Sequence, residues 1–173
     1  MTPFCPNLTV LEDGHPITFS IQDAMNYHGP GYPGGVVHGY KVLERALPLL
    51  GADGAVERRG IGIETAFPGP GARDTFELVT RAVTGDRYQV DLNLASPDVV
   101  ESPKGRYVFR LTYRETQVEI VIRPGHVRPE FIAMARKPDR TPDDEVQLAD
   151  LKREMADRLM PLPAAEIYDA TIL

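Results

Sequence analysis

Val36, Tyr40, Leu43 and Leu47 recur at spacings of four, three and four, which places them on one face of a helix that closes before Gly51. A shorter amphipathic stretch, Ser20 to Tyr27 with Ile21, Ala24 and Met25, predicts a first helix, ended where Gly29 and Pro30 make continuation costly. Residues 59–66 alternate instead. Ile61 and Ile63 are β-branched, and Gly60 and Gly62 between them imply close backbone packing, so a short strand is expected. Phe76, Val79 and Val83 again share a helical face, with Gly85 placed as its stop.

The middle of the chain changes period. Tyr88, Val90, Leu92 and Leu94 alternate with polar neighbours, as do Tyr107, Phe109, Leu111 and Tyr113, and then Val118, Ile120 and Ile122. Strands are therefore expected over 87–94, 105–114 and 116–123, with a tight hairpin at Glu115-Thr116 and a longer connection from Ser96 to Lys104. The intervening positions hold Arg106, Arg110, Thr112, Arg114, Gln117 and Glu119, so one sheet face is polar or is a contact face. Near the end, Thr141 reads as a helix cap, Pro142 as the first helical residue, and Asp143, Asp144 and Glu145 as complements to the amino-terminal dipole. That helix, 142–160, carries Leu148, Leu151, Met155 and Leu159 along one side, as expected of a helix that covers core.

Composition narrows the class. At 173 residues and 42% hydrophobic content the chain can enclose one sizeable core, so a single domain over 1–173 is expected. A net charge of −6 provides no electrostatic footprint for a nucleic-acid backbone. No apolar stretch approaches the length needed to span a bilayer, and Met1 to Val10 lacks the charged and apolar blocks of a signal peptide, so a cytosolic location is expected. Cys5, alone in the chain, cannot make an internal disulfide, a zinc ribbon or a dithiol pair and reads as an incidental thiol.

Chemistry concentrates in two glycine-proline loops, Tyr27 to Gly35 and Phe67 to Gly71, each running into a helix. Glycine admits a ligand close to the backbone, proline stiffens the approach, and the unpaired amides of a helix start are donors.

The run His28-Gly29-Pro30-Gly31-Tyr32-Pro33-Gly34, with Gly39-Tyr40-Lys41 behind it, resembles the His-Gly-His-x-Cys-Pro-Gly loop and Gly-Tyr-Arg helix of the FmdE-like family, named for a component of formylmethanofuran dehydrogenase. Glu64-Thr65 followed by Asp74-Thr75-Phe76-Glu77-Leu78-Val79-Thr80 is similar to that family's Glu-Thr strand end and Asp-Ala-x-Gln-Val-Leu-Thr helix. Gly105-Arg106-Tyr107-Val108-Phe109 resembles its glycine-led strand. The resemblance covers about residues 20–125, with 126–173 as a helical extension. It implies an α+β fold: a helix-strand-helix-three-strand core with a mixed four-stranded sheet, plus C-terminal helices. It also implies a homodimer, since that family commonly pairs its sheets. The family's soft-metal ligands are largely replaced, Pro30 standing for the second histidine, Tyr32 for the loop cysteine and Gly71 near a second cysteine.

His28 and Tyr32 are accordingly the candidate catalytic groups, and Gly34, Glu64, Arg73 and Asp74 the candidate ligand-binding ones. A divalent metal would fall to His28 and His38, with Glu64 or Asp74 completing a mixed shell, and no tight structural zinc is expected. His28 alternatively caps the first helix through its dipole, and His38, off the apolar stripe of its helix, is exposed or lines the cleft. Asp74 and Glu77 have the spacing of a capping box, while Arg73 could instead hold an anion at the helix start. Tyr32 offers a hydrogen-bonding or stacking group, or simple packing. His15 and His126 read as solvent-facing loop residues. Two functions follow: a protein binding a small organic ligand in a cleft between the loops, with His28 and Tyr32 as active groups if it is an enzyme, or a non-catalytic metal- or ligand-binding accessory component of another enzyme. A purely structural component, using the polar strand face and the terminal helix for partner contact, is a third.

Overall fold

The computed structural model describes residues 5–173; Met1 to Phe4, part of the stretch read for a targeting signal, lie outside the described residues. The chain opens with a hairpin, β1 (Leu8–Glu12) and β2 (His15–Phe19), that the alternation reading missed. Its turn, Asp13-Gly14, has positive φ at both residues, 50° and 79°, and this dipeptide is a recognised two-residue hairpin signal. Two helices follow, α1 (Ile21–His28) and α2 (Pro33–Leu50). Ser20 caps α1 in a reciprocal capping box with Asp23, and α2 starts at Pro33, a residue whose missing N–H costs nothing at a first helical position.

Next come β3 (Ile61–Thr65), α3 (Pro70–Thr80) and a three-residue strand, β4 (Tyr88–Val90). The strand expected to reach residue 94 stops at Val90 because the Asp91 carboxylate accepts a hydrogen bond from the Asn93 amide and turns the chain. The hairpin β5 (Val108–Tyr113) and β6 (Thr116–Ile122) turns on Arg114-Glu115, one residue earlier than expected, with Arg114 at φ 54°. Three helices and a strand complete the chain: α4 (Pro129–Arg136), α5 (Pro142–Leu159), α6 (Ala164–Ile167) and β7 (Tyr168–Ile172). Thr141 caps α5 as expected, with Asp144 returning the bond.

The fold is α+β. Its main sheet has five strands rather than four, in the order β4-β3-β5-β6-β7, because the C-terminal extension ends in a strand that pairs with β6. Only β3 and β4 run parallel, joined by the crossover helix α3. The inner face carries Ile61, Ile63, Phe109, Leu111, Val118 and Ile120, all buried, and α2 lies over β5, β6 and β7 with α3 on one side and α5 on the other. No described helix covers the outer face, where Glu64, Arg110 and Glu119 lie in cross-strand register, and Arg110 Nε donates to Glu119 Oε2 at 2.7 Å.

Two expectations about α3 need correction. The helix ends at Thr80, not near Gly85, because arginines from elsewhere take its last carbonyls. Arg58 donates to Leu78 and Val79, and Arg87 donates to Thr80 and Arg81 at 3.1 and 3.0 Å, while Arg81 itself adopts the left-handed conformation. The helix also starts earlier, at Pro70, so Asp74 and Glu77 are not a capping box. Glu77 instead binds Thr84 beyond the helix end, and Asp74 faces α1.

Helices α2 and α3 touch backbone to backbone. A Cβ on Gly39 would lie 2.8 Å from Ala72 Cα, and one on Gly71 would lie 2.6 Å from both the Tyr32 carbonyl oxygen and the Val36 amide nitrogen. Gly39→Ala is expected to cost about 1–3 kcal/mol through forced separation of two buried backbones. Gly31→Ala, with open space around its Cβ, serves as the control. Urea unfolding of both variants checks this, and equal stabilities would exclude a tight contact.

Candidate functional site

The close approach of α2 and α3 sets the two glycine-proline loops side by side. His28, in the last turn of α1, reaches across to α3, where its Nδ1 lies 2.7 Å from Asp74 Oδ2. A carboxylate accepts here, so Nδ1 carries the proton. The side chain is only 7% exposed, and its Nε2 is enclosed without a partner among the described residues. His28 thus does more than cap a helix: it joins α1 to α3 and keeps one nitrogen unused. Arg73 stands at the rim, its guanidinium 3.7 Å from Asp74 Oδ1.

Tyr32 lies next to this pair, its ring centroid 5.8 Å from that of His28. It is 44% exposed, and Lys152 of α5 places its ammonium 3.9 Å from the Tyr32 ring centroid, a cation–π contact. Beneath Tyr32 is a small cavity of about 70 Å³. The loops line one side with Tyr32, Gly34, Gly35, Phe67, Gly69 and Pro70. Phe131 of α4 and Lys152 and Met155 of α5 close the other, and His38 and Tyr107 form the floor. Its walls are almost wholly apolar. At this volume it admits the end of a molecule rather than a whole cofactor, since ligand pockets usually run to about 300–1,000 Å³.

Of the two expectations for His38, exposed or lining the cleft, the structure has the second. The residue is 1% exposed, because α5 and β7 cover the side of α2 that lies off the main apolar stripe. Its Nδ1 lies 2.7 Å from Tyr168 Oη and its Nε2 lies 3.2 Å from Met155 Sδ. Sulfur cannot donate here, so Nε2 carries the hydrogen and Tyr168 donates to Nδ1. Burial pushes the His38 pKa down to about 3, assisted by His126 and Arg158, so the ring is neutral. Burial likewise raises the Tyr107 and Tyr168 hydroxyls well above the usual phenol range.

Of the residues picked out in the sequence, His28, Tyr32, Asp74 and Arg73 meet, and Gly34 and His38 line the cavity that Tyr32 covers. Glu64 does not join them. It lies on the outer sheet face, in a polar groove with Arg110 and Gln89. In the Gly39-Tyr40-Lys41 run, Tyr40 points its hydroxyl at the Pro6 and Phe19 carbonyls, at 2.7 and 3.0 Å, and Lys41 Nζ donates to Glu44 Oε2 at 2.7 Å. The Tyr40 contacts tie the opening hairpin to α2, while the Lys41–Glu44 pair lies within the helix. His15 is exposed in β2, and His126 Nε2 lies 2.9 Å from the Glu166 carbonyl oxygen. Sequence reading did not mark Tyr107, which enters from just before β5, or Phe131, Lys152 and Met155, whose placement comes from the docking of the C-terminal extension. The local signal for Lys152 is faint, a cation beside the Leu148–Met155 stripe of a core-covering helix.

The donors present speak against a soft-metal site. Among the described residues no group of three or more His, Cys, Asp and Glu side chains is placed to hold a metal ion. His28 has one unpartnered nitrogen, and both His38 nitrogens are engaged. This donor set does not fit a soft-metal site. No described helix is long and apolar enough to cross a membrane. Compared with protein-family models and with curated proteins, the sequence has no significant match.

The depressed His38 pKa has a stability consequence. Between pH 6.5 and about 3 the unfolded chain binds a proton at this residue that the folded chain refuses, so His38 makes stability fall as pH drops through that window. Unfolding free energies from pH 7 to 5, above the main carboxylate range, should show the decline, and His38→Gln should flatten it. An unchanged slope in the variant would mean that another group is responsible.

Proposed function

We propose that this chain is a divergent relative of the FmdE-like family that binds a small organic ligand between its two glycine-proline loops. The observation that carries the reading is the His28–Asp74 bond across the loops, which leaves Nε2 unused beside Tyr32 and an apolar cavity beneath that ring. A buried polar atom without a partner is costly in a purely structural role, and sites of this kind are where function concentrates. With Nδ1 donating to Asp74, a neutral His28 has its lone pair on Nε2, the form that accepts a proton or a ligand's hydrogen bond. The Tyr32 hydroxyl would be its partner in an enzymatic version.

The alternative, a non-catalytic accessory component, draws on the sealing of Nε2: His28 does not line the cavity, and a group enclosed on all sides orients loops better than it moves protons. In either version the protein is read as cytosolic and homodimeric, acting on neither nucleic acid nor membrane. The uncovered outer face, with its Glu64–Arg110–Glu119 row, is the surface proposed for pairing two copies.

Screening small neutral and charged organic molecules by NMR, with the Met155 methyl and Tyr32 ring as reporters, tests the pocket. Binders should shift both signals, and His28→Ala should weaken them at least tenfold. A helix-end role predicts the reverse, binding unchanged and about 0.5–2 kcal/mol of stability lost. The dimer is tested separately by light scattering, where Arg110→Glu, leaving three like charges in a row, should halve the measured mass. A monomeric wild-type protein at all concentrations would remove it.

A further inference from the structure

We infer that the cavity takes a short-chain organic acid bearing a second oxygen, its carboxylate at the mouth beside Lys152 and its chain inside against Phe67, Phe131 and Met155. This rests on the pocket reading above and adds the chemistry of the occupant.

The charge preference comes from the mouth. Lys152 is partly withdrawn from water, which lowers its pKa, yet its polar contacts among the described residues are the Tyr32 ring and the Gly31 carbonyl oxygen at 3.4 Å, with no carboxylate paired to it. An ammonium placed so attracts an anion more strongly than one in open water. The starts of α2 and α3 converge on the same place, a Cβ on Gly35 lying 3.4 Å from the Gly71 amide nitrogen. Neither helix has a side-chain cap or an acidic residue in its first turn, so both positive dipole ends are uncompensated.

The interior supplies an independent observation. Tyr107 lines the cavity, is 1% exposed, and its hydroxyl has no hydrogen-bond partner among the described residues, burial alone accounting for its raised pKa. The His38 nitrogens, by contrast, are satisfied by Tyr168 and Met155. Leaving a buried hydroxyl unpaired is unfavourable, and an oxygen on the ligand's chain would accept its proton. Size sets the rest: a space of about 70 Å³ is about half the ~150 Å³ apolar cavity that admits benzene, enough for three or four heavy atoms with the carboxylate outside.

Three probes separate these contributions: butyramide, butyrate and 3-hydroxybutyrate, titrated into the full chain with the Met155 methyl as the NMR reporter. Affinity should rise in that order, about tenfold for the charge and about threefold to tenfold for the hydroxyl. Lys152→Gln should shrink the first difference alone, leaving what the helix dipoles supply, and Tyr107→Phe should remove the second alone; both changes are mild enough to preserve folding. Butyramide binding as well as butyrate to the wild-type chain would overturn the acid preference while leaving the pocket intact. If none of the three probes moves Met155 while other small molecules do, only this inference falls, and if nothing does, the pocket reading falls with it.

Discussion

Two helices that meet through glycine and alanine hold this site together. Gly39 rests on Ala72, and Gly71 lies under the Tyr32–Val36 turn, so α2 and α3 approach backbone to backbone over the inner face of the sheet. Close approach fixes the relative height of the two helix starts, and with it the distance between the loops that precede them. His28 and Asp74 can then meet at 2.7 Å, although 46 residues separate them. Dispersion between packed backbones is small per atom but has no rotamer entropy to lose, which makes such a contact stiff.

That stiffness explains why polar groups can be left unpaired nearby. His28 Nε2 and the Tyr107 hydroxyl each carry a desolvation cost, and a looser fold would rearrange to satisfy them. Elsewhere most buried polar atoms are satisfied, with Glu12 Oε2 and Arg158 Nη2 as exceptions among the described residues. Arg58 and Arg87 close the end of α3, Glu44 bridges Lys41 and the Ala164 amide, and His38 is bonded at both nitrogens. The two unpaired groups near Tyr32 share one region of the molecule, beside and beneath that ring.

The C-terminal extension has a larger part than a cover. Through α5 it delivers Lys152 and Met155 to the loops, and through β7 it adds a fifth strand and brings Tyr168 to His38. An apolar helix stripe such as Leu148, Met155 and Leu159 says that the helix packs on something, but not on what. The same docking buries His38, which lies off the apolar stripe of α2 and reads as either exposed or cleft-lining until a second helix is placed against it.

By itself the sequence determined most elements, because periodicity and turn chemistry are local: the stripe of α2, the alternation of β5 and β6, and the Thr141-Pro142 start of α5 all lie where the residues put them. It also marked the two loops, His28, Tyr32 and Asp74 as a region of interest. The tertiary structure alone decided the rest, since partners distant in the chain set it. Arg58 and Arg87 ended α3 early, β6 accepted β7, and Glu64, in register with Arg110, came to lie on the outer sheet face, apart from the loops. Strand alternation assigns a residue to one of two faces, but only packing decides which face meets the helices, and the site follows that choice.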